Sequence, residues 1–396
     1  MTSPLARVVC VTLAISLGCA HSVRREDADA APRDGGTCLG TITWDEPPLS
    51  RSRTRYTDAV LAGDHDGFLF VSTAYLPDAC EDTPCVTVER VPSSGEGSRA
   101  ARFAFHASSD RVQLFAGTDE RGAGHFAAAL GYRADQLVWG EGPSWGDAAG
   151  TLALDPERGL GAVAFGADAV WVMTHGWMSE NTIGEGHEYP IHPEVARVDD
   201  DGSSTAHSGL DPTEGRLFTD ATLAPSERGA WLVTDDFYYL EPIRAAGAAF
   251  RGVVRERAGP GRRAVVADRS GGIVLADTYA GAVEVARIGP DGTRVPGPVL
   301  PESPVEAELA LATDGERFVL AHRTRDGAVR VTILDAALSI VATGTAPPLD
   351  GLEPYTRLRV AAASDGTFAL LMSPFASGPD ERASVPVELR RFRACE

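Results

Sequence analysis

The C-terminal stretch "LRVAAASDGTFALLMSP" (358–374), followed by "VPVELRRFRAC" (385–395), decides how the chain is read. Two apolar runs meet at Asp365-Gly366, a pair of residues that suits a tight turn, so 358–374 reads as a β-hairpin. A third strand follows and the sequence stops. A sheet ending there lacks its outer strand and exposes a row of unpaired backbone groups. At the other end of the chain "CLGTITWDE" (38–46) is a strand with no hairpin partner of its own. Placing that strand on the last sheet removes both open edges and brings Cys38 near Cys395.

The hairpin is one of a series. Clean copies are "DAVLAGDHDGFLFVSTA", "AVVADRSGGIVLADTYA" and "ELALATDGERFVLAHRT"; looser ones are "VQLFAGTDERGAGHFAAAL", "GAVAFGADAVWVMTHG" and "ATLAPSERGAWLVTDD". Turns at Gly67, Gly124, Asp168, Gly229, Gly272, Gly315 and Gly366 give seven copies, about fifty residues apart, the spacing of four-stranded propeller blades. Segments such as "CVTVERV", "AVEVARIG" and "AVRVTILD" supply third strands, and "TRVPGPVL" and "SIVATGTA" shorter fourth ones. Blade four offers no convincing outer strand. The expected fold is all-β: a seven-bladed β-propeller with blades at 55–107, 110–154, 158–210, 213–260, 263–300, 304–347 and 354–395, the last completed by 38–45. A pair of β-sandwiches explains neither the sevenfold period nor the terminal cysteines. The chain is similar to propellers in repeat logic only. It has no Trp-Asp, kelch, Asp-box or YWTD signature, so the resemblance implies an architecture and no activity.

The N-terminus reads as an address. In "MTSPLARVVCVTLAISLGCAHS" a single charge, Arg7, precedes an apolar run too short for a permanent bilayer span. The run closes in "SLGC" at Cys19, which resembles the lipobox of bacterial lipoproteins, with Ser16 where that pattern has Leu, Val or Ile. The resemblance implies a signal peptide over 1–18, diacylation of Cys19, and, with Ala20 rather than Asp after it, residence in the outer membrane. A plain secretory signal is the alternative. Residues 19–37 are polar and charged and read as a flexible tether, leaving 38–396 as the folded body. With Cys10 removed and Cys19 acylated, Cys38, Cys80, Cys85 and Cys395 remain, an even number in an oxidising compartment. Cys80–Cys85 would pinch a loop and Cys38–Cys395 would lock the ring, at the high end of roughly 2–4 kcal/mol for so long a loop.

All 36 basic residues are Arg, against 56 acidic ones, for a net charge of −20. Without Lys there is no Walker-type phosphate loop and no Schiff base. No cofactor is expected, and the acidic surface excludes nucleic acid. The membrane is reached through the lipid anchor only.

In blades of this order the second-to-third strand connections leave from one face. Several are long, among them "YLPDACEDTPC", "HGWMSENTIGEGHEYPIHPE" and "DDFYYLEPIRAAGAA". Trp177, His187, Tyr189, His192, Asp235, Asp236, Phe237, Tyr238 and Tyr239 are the candidate binding residues there, since loop aromatics suit sugar rings and protein hot spots. His175, His187 and His192 with Glu185 and Glu188 are possible metal ligands. "HEYPIH" is one residue longer than HExxH and contains Pro190, which excludes the zinc-protease arrangement. Asp235 and Asp236 with Glu241 form a candidate carboxylate pair for glycoside chemistry, and no GxSxG nucleophile motif is present. The expected function is non-catalytic binding of an envelope protein or glycan through the long-loop face. The alternatives are a polysaccharide hydrolase or lyase with carboxylates at the channel mouth, and a structural component of an envelope assembly.

Overall fold

Apolar residues alternating about short turns make every element a strand in the computed structural model, which describes residues 40–45, 47–54, 58–76, 80–95, 112–130, 136–141, 150–155, 157–180, 187–199, 203–207, 221–226, 229–234, 239–244, 262–279, 281–301, 308–347, 356–374 and 384–395. The chain divides after Thr37, and Cys38–Glu396 is one unit.

Two strands, β1 (Ile42–Trp44) and β2 (Leu49–Thr54), precede the first hairpin. Seven antiparallel sheets then account for the described strands. The first holds β3 (Val60–Asp64), β4 (Gly67–Leu76) and β5 (Cys80–Pro92). The second holds β6 (Val112–Thr118), β7 (Gly124–Leu130), β8 (Gln136–Glu141) and β9 (Gly150–Ala153). The third holds β10 (Gly159–Phe165), β11 (Ala169–Glu180), β12 (His187–Asp199) and β13 (Ser204–His207). The fourth has three described strands, β14 (Ala221–Ser226), β15 (Gly229–Thr234) and β16 (Tyr239–Arg244). The fifth holds β17 (Arg263–Ala267), β18 (Ile273–Tyr279), β19 (Ala282–Ile288) and β20 (Arg294–Pro301). The sixth holds β21 (Leu309–Thr313), β22 (Phe318–Arg323), β23 (Val329–Leu334) and β24 (Ile340–Thr345). The seventh joins β25 (Thr356–Ala362), β26 (Phe368–Pro374) and β27 (Ser384–Ala394) to β1 and β2. Each second strand begins at or just after one of the seven turns read from the sequence.

The N-terminal strand does lie on the last sheet. Ile42 pairs with Ala394 and Trp44 with Phe392. The Trp44 ring centroid is 4.8 Å from that of Phe392, which is 5.6 Å from that of Phe368. β2 continues the pairing along β27, from Leu49 opposite Leu389 to Thr54 opposite Ser384. That second strand was not expected, because "LSRSRT" has little β character of its own. Its arginines are fixed by partners: Arg51 pairs with Glu89 at 2.5 Å, and Arg53 Nε donates to Ser373 Oγ at 2.7 Å. Cys85 is buried on β5 and Cys395 directly follows β27. Cys38 and the side chain of Cys80, their expected partners, lie outside the described residues, as does Cys19.

The period of two along a strand sends alternate side chains to opposite faces of a sheet, and both faces are buried. On β26, Phe368, Leu370 and Met372 pack against the sixth sheet, while Ala369 and Leu371 pack against the first. The same division runs through the molecule. Seven apolar clusters each join one sheet to the next in chain order, and one of them joins the seventh sheet to the first. Where β3 meets β25 the backbones approach so closely that a Cβ on Gly63 would lie 1.8 Å from Ala362 O.

The short turns add polar links between neighbours. Thr118 Oγ1 donates to Gly63 O at 2.9 Å, Ala167 N to Glu120 Oε2 at 3.1 Å, and Trp231 Nε1 to Gly271 O at 3.1 Å. Arg269 donates to Asp314 O at 3.2 Å, the Arg317 guanidinium lies 5.2 Å from the Phe368 ring centroid, and Ser364 Oγ donates to His65 O.

Phe392 touches the N-terminal strand, β26 and the sixth-sheet cluster together. Phe392→Ala is expected to cost about 3–5 kcal/mol in urea unfolding. Val299→Ala, at an exposed position, should stay within about 0.5 kcal/mol of the parent.

Candidate functional site

The two ends of the sheets differ in chemistry. One end carries the Asp-Gly-type turns. The other, where second strands finish, third strands start and first strands begin, collects buried polar and charged groups. Among the described residues Arg158, Arg262 and Glu308 stand immediately before first strands there, and Asp58 stands two residues before β3.

Between the seventh and first sheets this end holds a basic cluster. Arg357 forms an ion pair with Asp58, and Arg359 lies 3.8 Å from the same carboxylate. Arg53 is buried beside them and donates to Ser373 Oγ and to the carbonyls of Thr54 and Pro374. Burial pushes Arg53 down to about 10. Burial, then the charges of Arg359 and Arg53, push Arg357 down to about 10 as well. Both remain cations at neutral pH, so three positive charges surround one carboxylate.

In the third sheet, Arg158 Nε donates to Thr174 Oγ1 at 3.0 Å and NH1 lies 3.5 Å from Glu194. His175 beside them is buried, its Nδ1 3.1 Å from Gly176 O, and burial lowers its pKa. Between the fifth and sixth sheets Arg262 reaches Glu308 at 4.0 Å; on the other face of the fifth sheet Arg263 lies 3.9 Å from buried Asp277. His322 and Thr332 face the fifth sheet, fully buried, and among the described residues neither ring nitrogen nor Thr332 Oγ1 has a hydrogen-bond partner. Burial, and then the nearby charge of Arg330, push His322 down to about 4.

The stretch 175–194, expected as a loop, is instead a long hairpin. β11 and β12 run on past the rest of their sheet, with Trp177 opposite Pro190, Met178 opposite Tyr189 and Glu180 opposite His187. Among the described residues β13 pairs only with Val195–Val198, so Pro190 stands on an edge with no described neighbour beyond β11, a position proline tolerates. The register shifts between Thr174 and Gly176, which puts His175 on one strand and His192 on the other at the same irregularity. His187 stands five strand residues from His192, about 17 Å along the backbone. One metal ion therefore cannot take all three histidines. Among the described residues no group of three or more His, Cys, Asp or Glu is placed to hold a metal.

"DDFYYLEPIRAAGAA" is likewise mostly strand at its centre. Tyr239 begins β16 opposite Thr234, and Glu241 pairs with Leu232, so Glu241 is not in one loop with Asp235 and Asp236. Asp235, Asp236, Phe237 and Tyr238 lie outside the described residues, as do the side chains of Trp177, His187, Tyr189, His192 and Tyr239. The sequence reading missed the basic cluster. No local signal marked it, because Arg53 lies some three hundred residues from Arg357 and Arg359 in the chain.

No family model matches the chain, and no curated protein matches it. Among solved structures the chain is similar to a luciferin-regenerating enzyme, at 12% identity and a TM-score of 0.41 over 88% of this chain and 95% of that one.

Because His322 binds a proton more readily unfolded than folded, its contribution to stability is complete at neutral pH and is lost as pH falls from about 6.5 towards 4. Going from pH 7.5 to 4.5 should cost the parent about 2–3 kcal/mol more than His322→Leu in urea unfolding. Equal pH slopes in the two proteins would remove His322 as the cause.

Proposed function

We propose that the chain is an exported lipoprotein, anchored through Cys19, whose body is a closed seven-bladed β-propeller, and that it binds an envelope protein or glycan without catalysis. The seven sheets, the apolar clusters joining them in cyclic order and the N-terminal strands on β27 support the ring. Disulfides Cys38–Cys395 and Cys80–Cys85 belong to the same reading. One observation carries the binding reading: buried and paired polar groups gather at the sheet end from which the β11–β12 hairpin projects. A two-stranded ribbon beyond its sheet adds little to the fold, and projecting segments on a rigid scaffold are where such proteins carry recognition.

The body from Cys38 should retain a component of solubilised envelope protein or polysaccharide fractions. Replacing 176–193 by a two-residue turn should cut that retention at least tenfold while the thermal melt stays unchanged. Equal retention by the two proteins would reject the hairpin as the recognition element. The anchor is tested by labelling cells with radioactive palmitate, which Cys19→Ser should abolish.

The second reading is a polysaccharide hydrolase or lyase, favoured by Asp58 between Arg357 and Arg359. Release of new chain ends from an acidic polysaccharide, lost in Asp58→Asn, would select it over binding alone.

A further inference from the structure

Among the described residues the large hydrophobic side chains left exposed are Val295 (51%), Val299 (62%), Ile340 (49%) and Val341 (41%). All four stand on β20 and β24, the outer strands of the fifth and sixth sheets. The two strands are neighbours: a Cβ on Gly297 of β20 would lie 3.0 Å from the side chain of Leu338, just before β24. β24 contains no charge and β20 a single one, its first residue Arg294, which pairs with Glu284 at 3.7 Å, in a chain that is 23% charged. The described chain enters at the same rim. Thr343 N of β24 donates to Gly40 O at 3.0 Å, and Thr41 bridges Thr343.

We infer that this rim rests on the lipid surface to which the N-terminus is anchored, a step that depends on the lipoprotein reading above. Two features argue against a protein partner. Pro296, Pro298 and Pro301 interrupt β20, so that strand cannot be extended by an added one. The patch also lacks the Trp and Tyr side chains that anchor tight protein interfaces. A weakly apolar, sparsely charged surface is enough at a bilayer because the contact is intramolecular. Only about twenty residues separate Cys19 from Gly40, a contour length of at most roughly 70 Å. A short tether of this kind gives an effective concentration in the millimolar range, so a contact too weak to recruit the free body still orients the anchored one.

The test uses the full acylated chain in phosphatidylethanolamine vesicles, with bimane attached at Val299→Cys, Ile340→Cys or, as control, Thr205→Cys on β13. Flotation with the vesicles, lost in Cys19→Ser, reports the anchor. The Val299 and Ile340 probes should shift to the blue and be quenched by brominated lipid several-fold more than the Thr205 probe. Flotation with equal quenching at all three positions overturns the rim contact and leaves the anchor standing. Failure to float overturns both. A dimer in sedimentation that Val299→Asp with Ile340→Asp dissociates overturns the lipid assignment in favour of a second copy.

Discussion

The pairing of residues 42–54 with β27 is the constraint on which the rest of the structure depends. Every other sheet is built from consecutive strands, so its contacts form locally. The seventh alone takes its outer strands from the opposite end of the chain, through Ile42 opposite Ala394 and Leu49 opposite Leu389. Without them β27 would present an open edge, and the Trp44–Phe392–Phe368 stack would lose its outer ring. The Arg51–Glu89 pair and the donation of Arg391 to Pro92 O at 3.0 Å then tie the same sheet to the first.

Two-sided burial explains why the middle strands read as continuous apolar runs. "FALLM" feeds the sixth-sheet interface with Phe368, Leu370 and Met372 and the first-sheet interface with Ala369 and Leu371. It also separates the two ends. The turn end is held by its own backbone and by links from one turn to the next, so polar groups there are used up in structure. At the other end the sheets splay into connections of unequal length, and arginines, histidines and carboxylates enter the interfaces. A buried His322 with no partner among the described residues is a cost to stability.

Much of this was legible in the sequence. The seven turns were marked by Gly or Asp between apolar runs, a signal fixed by local backbone chemistry, as at Gly366 with φ 79°. The N-terminal strand of the seventh sheet followed from counting strands. β2 was hidden, because Ser-Arg alternation gains its strand form only from β27 and from the partners of Arg51 and Arg53. The hairpin of 175–194 was hidden for a related reason. Pro190 and its polar neighbours look like a loop until the register shows that Pro190 stands on an edge. The basic cluster was the least visible, because Arg53 and Arg357 are some three hundred residues apart and meet only where the last sheet packs on the first.

Hydrogen exchange along the N-terminal strands is the most direct measurement. Closure by residues 42–54 predicts that the amides of β1 and β2 are protected as strongly as those of β26 and exchange only with global unfolding. Rapid exchange at Thr43 and across 49–54, with β26 still protected, would contradict it.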